Sequence, residues 1–184
     1  MAKLPYAKIP KFIQTGNYEI HLPWHMLESG LKNLGQGEGV GLDLDPPYQR
    51  GHVWTEAQQR AYVEFVIRGG NSSKTLLFNC PGWPNYRADA GPVELVDGKQ
   101  RLTAVLRFIH NELTVFDDFL GIGPTRWDDL EIKRDMELRF LINVNHLNTR
   151  AEVLDWYLQL NAGGTPHTPE ELDKVRRMRE EASK

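Results

Sequence analysis

Short apolar runs and longer helical stripes alternate along the chain. "NYEIHL" (17–22) alternates enough for a short strand, and Pro23 is placed to open a helix through about Leu34. "GQGEGVGLDLDPPYQRG" (35–51) is turn-rich, with glycines early and paired prolines that forbid helix at Asp45 and Pro46. Thr55 and Gln58 fit a capping box that opens the next helix. Ala57, Ala61 and Phe65, with Tyr62 and Val66, mark its buried face, and Gly69-Gly70 stops it. "KTLLFN" (74–79) and "VELV" (93–96) read as strands. Leu102, Val105, Leu106, Ile109 and Leu113 then trace a helical stripe. "LTVFDDF" (113–119) and "MELRFLINVNHL" (136–147) predict two more strands.

Val153, Trp156, Tyr157 and Leu160 mark a helix from Thr149 to Leu160, closed by "NAGG". Thr168 as N-cap, Pro169 at the first helical position and Glu171 at the third open a final helix. Its apolar stripe is thin (Leu172, Val175, Met178), so alone it is marginal. It must pack on the body, pack on a partner, or fray. The whole predicts an α+β fold, a mixed small sheet flanked by helices, with a C-terminal helical extension. Residues 1–16 form an extended arm, 17–165 the main domain and 166–184 the last helix.

Composition narrows the function. The 184 residues suit one domain, with 40% apolar and 26% charged positions. A net charge of -3 gives no global field toward nucleic acid or membrane, so a basic surface must be local. Cys80 is the single cysteine, which excludes an intrachain disulfide and a cysteine-rich zinc site; it reads as a small, partly buried thiol. No apolar run reaches the length of a membrane span, and the basic, proline-containing N-terminus lacks the apolar core of a signal peptide. The expected location is the cytoplasm.

Three segments carry candidate chemistry. In "VDGKQRL" an acid, a glycine and two cations sit at a strand-to-helix seam. A helix N-terminus presents unpaired N–H groups, Gly98 lets an anion approach them, and Lys99 and Arg101 add positive charge. Asp97 either caps the helix or holds Mg²⁺ on a nucleotide. In "DPPYQRGHVWT" (45–55), Tyr48 and Trp54 stack on a base or pack the core, and Gln49 and Arg50 contact a ligand or the protein surface. In "LNAGGTPHTPEEL" (160–172), Asn161, Gly163 and Gly164 make a tight turn. Thr165 and His167 there point into a pocket or serve the joint between two helices.

In this order the three segments resemble the family of domain of unknown function 262, the N-terminal domain of GmrSD-type modification-dependent restriction systems. Its motifs appear here as Pro46, Gln49, Arg50 and Trp54; as Asp97, Gly98, Lys99, Gln100 and Arg101; and as Asn161, Gly164, Pro166 and Thr168. Two positions depart from the pattern: Lys99 replaces a glutamine, and His167 stands where leucine is frequent. The resemblance implies a ParB- and sulfiredoxin-like fold and binding of a nucleoside triphosphate, with hydrolysis. It places Gly98, Gln100 and Arg101 at the phosphates, where Lys99 keeps a long polar side chain and adds charge, and Asp97 at a Mg²⁺ ion or the attacking water. Gln49, Arg50, Asn161 and Thr165 line the same pocket, and Asp97 and Arg101 are the catalytic pair.

Full-length members carry a His-Asn-His nuclease domain. This chain ends at Lys184 without that pattern, so the expectation is a stand-alone form of the kind encoded by phages and mobile elements. Two other readings compete. One is a DNA-binding module or weak nuclease using Lys174, Arg176 and Arg177, although Glu170, Glu171, Asp173, Glu180 and Glu181 offset that charge. The other is a regulatory protein that senses a nucleotide without turnover, acting with a protein partner or self-associating through the last helix.

Overall fold

The computed structural model describes residues 16–36, 41–49, 51, 53–81, 91–117, 121, 123–131, 136–161 and 169–183. The elements are β1 (Tyr18–Pro23), α1 (Leu27–Leu34), β2 (Leu42–Asp43), α2 (Glu56–Ile67), β3 (Thr75–Asn79), β4 (Val93–Asp97), α3 (Lys99–Ile109), β5 (Arg139–Asn145), α4 (Arg150–Asn161) and α5 (Pro169–Glu181). The fold is α+β, as the patterning predicts.

The strands form one five-stranded mixed sheet in the order β1-β5-β3-β4-β2. β1 pairs antiparallel with β5 and β4 antiparallel with β3, while β5–β3 and β4–β2 are parallel. Alternation along the strands divides the side chains between two faces. Leu76, Phe78, Val93, Leu95, Phe140, Ile142 and Val144 meet α1, α2 and α3 in the main core, around the fully buried Trp24 and Phe108. Leu77 and Val96 face the other way, onto Tyr48, α4 and Val175 of α5. That second cover lies over β4 and β3, whereas toward β5 and β1 the same face carries the polar Asn143 and Glu19.

Several local expectations change. Pro23 leads first into a single 3₁₀ turn, Trp24–Met26, and α1 follows it. The capping box of α2 forms: the Thr55 N–H donates to Gln58 Oε1 at 2.9 Å, and the Gln58 N–H donates to Thr55 Oγ1 at 3.3 Å. The buried face of α2 is Gln59, Tyr62, Val63 and Val66, while Ala57, Ala61 and Phe65 point outward. Phe65 lies over Gly70, where a side chain would collide with its ring. α3 ends at Ile109, because Asn111 turns the chain in the left-handed region (φ 60°). The predicted strand at 113–119 is not part of the sheet among the described residues. Phe116 is also left-handed (φ 60°), and only an isolated bridge, Val115 to Thr125, forms there. Its alternation reflects the plugging of Leu113 and Val115 into the main core. Cys80 is fully rather than partly buried.

The thin stripe of α5 packs on the body. Val175 is 2% exposed, and the Arg179 guanidinium donates to both Asp155 carboxylate oxygens of α4, at 2.9 and 3.2 Å. Among the described residues no helix is long and apolar enough to cross a membrane. The arm at 1–15, Arg50, and the turn at 162–168 with Gly163, Gly164, Thr165, Pro166, His167 and Thr168 lie outside the described residues.

Candidate functional site

The seam between β4 and α3 is built on Gly98. Its φ is +108°, and a Cβ there would meet Leu76 Cδ2 well inside contact distance and Arg101 Nη2 at 3.2 Å. Only glycine satisfies both constraints. Gly98 is itself the N-cap of α3, without a side-chain cap bond, so Asp97 does not cap the helix. A bulge in the β3–β4 pairing leaves Val96 as the extra residue between Leu77↔Asp97 and Phe78↔Leu95. Such a bulge redirects the side chain that follows it. The Asp97 carboxylate accepts from Arg101 Nη2 at 2.6 Å, and the same nitrogen donates to the Thr75 carbonyl at 3.0 Å. Arg101 Nε is buried with no hydrogen-bond partner. A desolvated donor without an acceptor is costly.

The five residues of "DGKQR" divide between two neighbourhoods. Asp97 and Arg101 line a cavity of about 420 Å³ together with Glu19, Ser73, Thr75, Leu77 and Asn143. This volume falls in the range of small-molecule sites. Lys99 and Gln100 turn instead to the loop before α2. Lys99 Nζ pairs with Asp45. Gln100 Oε1 accepts from the Val53 and Trp54 N–H groups at 3.1 and 3.2 Å, and its Nε2 donates to the Gly51 carbonyl at 3.1 Å. Gln49 Nε2 donates to the Leu95 carbonyl of β4. The first two sequence segments are therefore stitched together side chain to backbone.

The third segment reaches them through packing. Asn161 Nδ2 donates to the Tyr157 carbonyl at 2.7 Å, and the Tyr157 ring meets Tyr48 edge-on, with centroids 5.0 Å apart. Arg150 stacks over Tyr48 at 4.5 Å and donates to Glu94 at 2.7 Å. Burial pushes the Glu94 carboxyl above its ordinary range, against the pull of Arg150. Burial and the Glu94 carboxylate drive the Tyr48 phenol far above its own. These shifts belong to a buried brace beneath the loop, on side chains outside the cavity lining.

The basic residues of α5 are engaged locally. Lys174 Nζ donates to the Pro47 carbonyl at 2.9 Å, Arg176 pairs with Asp173 at 2.8 Å, and Arg177 Nε approaches the Asp173 carbonyl at 3.4 Å. Among the described residues no group of three or more His, Cys, Asp or Glu side chains gathers to hold a metal ion.

Sequence reasoning singles out Asp97 and Arg101, which line the cavity, but not Glu19 and Asn143 on its opposite wall. Alternation sets Glu19 apart from Ile20, yet only the register Glu19↔Asn143 and Asn143↔Leu77 brings both residues into line with Asp97. Strand pairing between distant segments carries no local signal.

No curated protein and no solved structure matches the chain. A family model does: that of the GmrSD restriction endonuclease N-terminal domain matches residues 31–141, more than half of the chain. The match spans both stitched segments, the Gln49 loop and the Asp97–Arg101 seam. The chain thus belongs to the GmrSD restriction endonuclease N-terminal domain family, and so to a group associated with restriction systems.

Proposed function

We propose that the chain binds a nucleoside triphosphate, together with Mg²⁺, in the cavity at Asp97 and Arg101 and hydrolyses it as the nucleotide-driven module of a restriction-type system. The observation that carries this reading is Arg101. Its guanidinium lines the cavity, is held by Asp97 and the Thr75 carbonyl, and retains an unpartnered N–H beside the N-terminus of α3. A fixed cation in the first turn of a helix, at the positive end of its dipole, suits a phosphate. Phosphoryl transfer mainly requires positioning and charge neutralisation.

The lining holds two carboxylates, Glu19 and Asp97, against one guanidinium, a formal charge of -1. That balance opposes a bare polyphosphate and favours one whose charge a divalent ion offsets. The donor set is all oxygen apart from the Asn143 amide nitrogen and Arg101, which fits Mg²⁺ carried in by a nucleotide, with the Asp97 carboxylate completing its shell. Asp97 commits Oδ2 to Arg101, and its other oxygen is the natural ligand. Bound Mg²⁺ supplies charge neutralisation at the phosphates. Arg101 holds the terminal phosphoryl while water adds to phosphorus. The bond to the bridging oxygen then breaks, and nucleoside diphosphate and inorganic phosphate leave.

Phosphate release with each of the four nucleoside triphosphates and Mg²⁺ tests this, wild type against Arg101→Lys and Arg101→Ala of verified fold. Release by the wild type and its loss in both variants is expected. Absence of release with every nucleotide, or equal rates in all three proteins, rejects the reading.

A further inference from the structure

We infer that Glu19 and Asn143 form the nucleoside end of this cavity and recognise the ribose hydroxyls, making the site selective for ribonucleotides; this rests on the nucleotide-binding reading above. Glu19, Asn143, Leu77 and Asp97 are successive register partners across β1, β5, β3 and β4, and all four line the cavity. Three inter-strand steps separate Glu19 from Asp97, roughly 14 Å at the usual strand spacing. The two carboxylates therefore cannot share one Mg²⁺ ion, whose ligand distances are near 2 Å. With phosphates held at Arg101, the far end of the row falls at the sugar of an extended nucleotide.

The chemistry of that end fits a diol. Glu19 Oε1 is bonded to His21 Nε2 at 3.1 Å, its only hydrogen bond among the described residues, so Oε2 remains as an acceptor. The Asn143 amide makes no side-chain hydrogen bond among the described residues and offers both a donor and an acceptor. As antiparallel partners on one face, the two side chains start close enough to act on a single group. Two vicinal hydroxyls present two donors to a carboxylate and one acceptor to an amide. An acidic side chain on ribose hydroxyls is the same device that dinucleotide-binding folds use. Both residues lie outside the stretch 31–141 that the family model covers, so the selectivity belongs to this chain's flanking strands.

The test is calorimetric binding of ATP, GTP, CTP and UTP, and of their 2′-deoxy and 3′-deoxy counterparts, in the presence of Mg²⁺. The wild type should prefer the ribonucleotide over at least one deoxy form by about tenfold, the worth of one charge-assisted hydrogen bond. Glu19→Ala and Asn143→Ala should bring the ratio toward one, with thermal stability unchanged. Equal wild-type affinity for ribo and both deoxy forms overturns the proposal, as does an undiminished preference in Glu19→Ala. Either result with binding still lost in Arg101→Ala leaves the nucleotide reading standing. No wild-type binding of any nucleotide removes both.

Discussion

Replacing Gln100 by alanine should loosen the loop before α2 and lower global stability. The side chain holds three backbone groups at once: it accepts from the Val53 and Trp54 N–H groups and donates to the Gly51 carbonyl. Each such bond contributes about 0.5–1.5 kcal/mol net. Val53 and Gly51 are exposed, so water replaces part of the loss there, while Trp54 is half-buried and regains less. A total of about 1–3 kcal/mol follows, or roughly 3–10 °C in Tm for a domain of this size. Chemical denaturation and amide exchange read it, with exchange at Val53 and Trp54 accelerated beyond the global change. Gln100→Glu keeps the acceptor and loses the bond to Gly51, so it should fall between wild type and alanine. A loss below about 0.5 kcal/mol with unchanged exchange at both amides would refute the stapling role, since three bonds cannot vanish at so small a cost. If Gln100 acted on a ligand instead, Gln100→Ala would weaken nucleotide binding while leaving stability alone.

Other consequences follow from the same geometry. Gly98→Ala places a Cβ against Leu76 at a positive φ, and the combined backbone strain and overpacking should cost about 2–4 kcal/mol in urea unfolding; a loss under about 1 kcal/mol contradicts the packing described. Glu94 has a folded-state pKa raised by burial, so its stabilising contribution is complete at acidic pH and is lost as pH rises through that raised value. Unfolding free energies from pH 4 to 8 should therefore fall more with pH in the wild type than in Glu94→Gln, and parallel profiles rule this out. Val175→Asp buries an unpaired carboxylate and should detach α5, seen as lost amide protection over 169–183. Arg179→Ala, which removes only a half-exposed ion pair, should lower the unfolding midpoint far less than Val175→Asp.

What the sequence disclosed was local. The Thr55–Gln58 cap, the strands around Leu77, Leu95 and Ile142, and the strand-to-helix seam at Gly98 all follow from residues within a few positions of one another. Glu19 and Asn143 could not be placed that way, because their alignment with Asp97 depends on how β1 and β5 dock on β3. "LTVFDDF" misled because a loop that plugs Leu113 and Val115 into a core carries the same alternation as a strand. The motif "DGKQR" was legible as a unit, but its division was not. Residues one and five of the motif face the cavity, while its third and fourth hold a loop 45 to 54.

Everything proposed for the cavity depends on phosphates sitting against Arg101. A crystal structure of the protein with Mg²⁺ and a non-hydrolysable nucleoside triphosphate tests it most directly. The triphosphate is expected within hydrogen-bonding distance of the Arg101 guanidinium, with the ribose toward Glu19 and Asn143. Nucleotide density elsewhere, with the cavity at Asp97 and Arg101 empty, contradicts it.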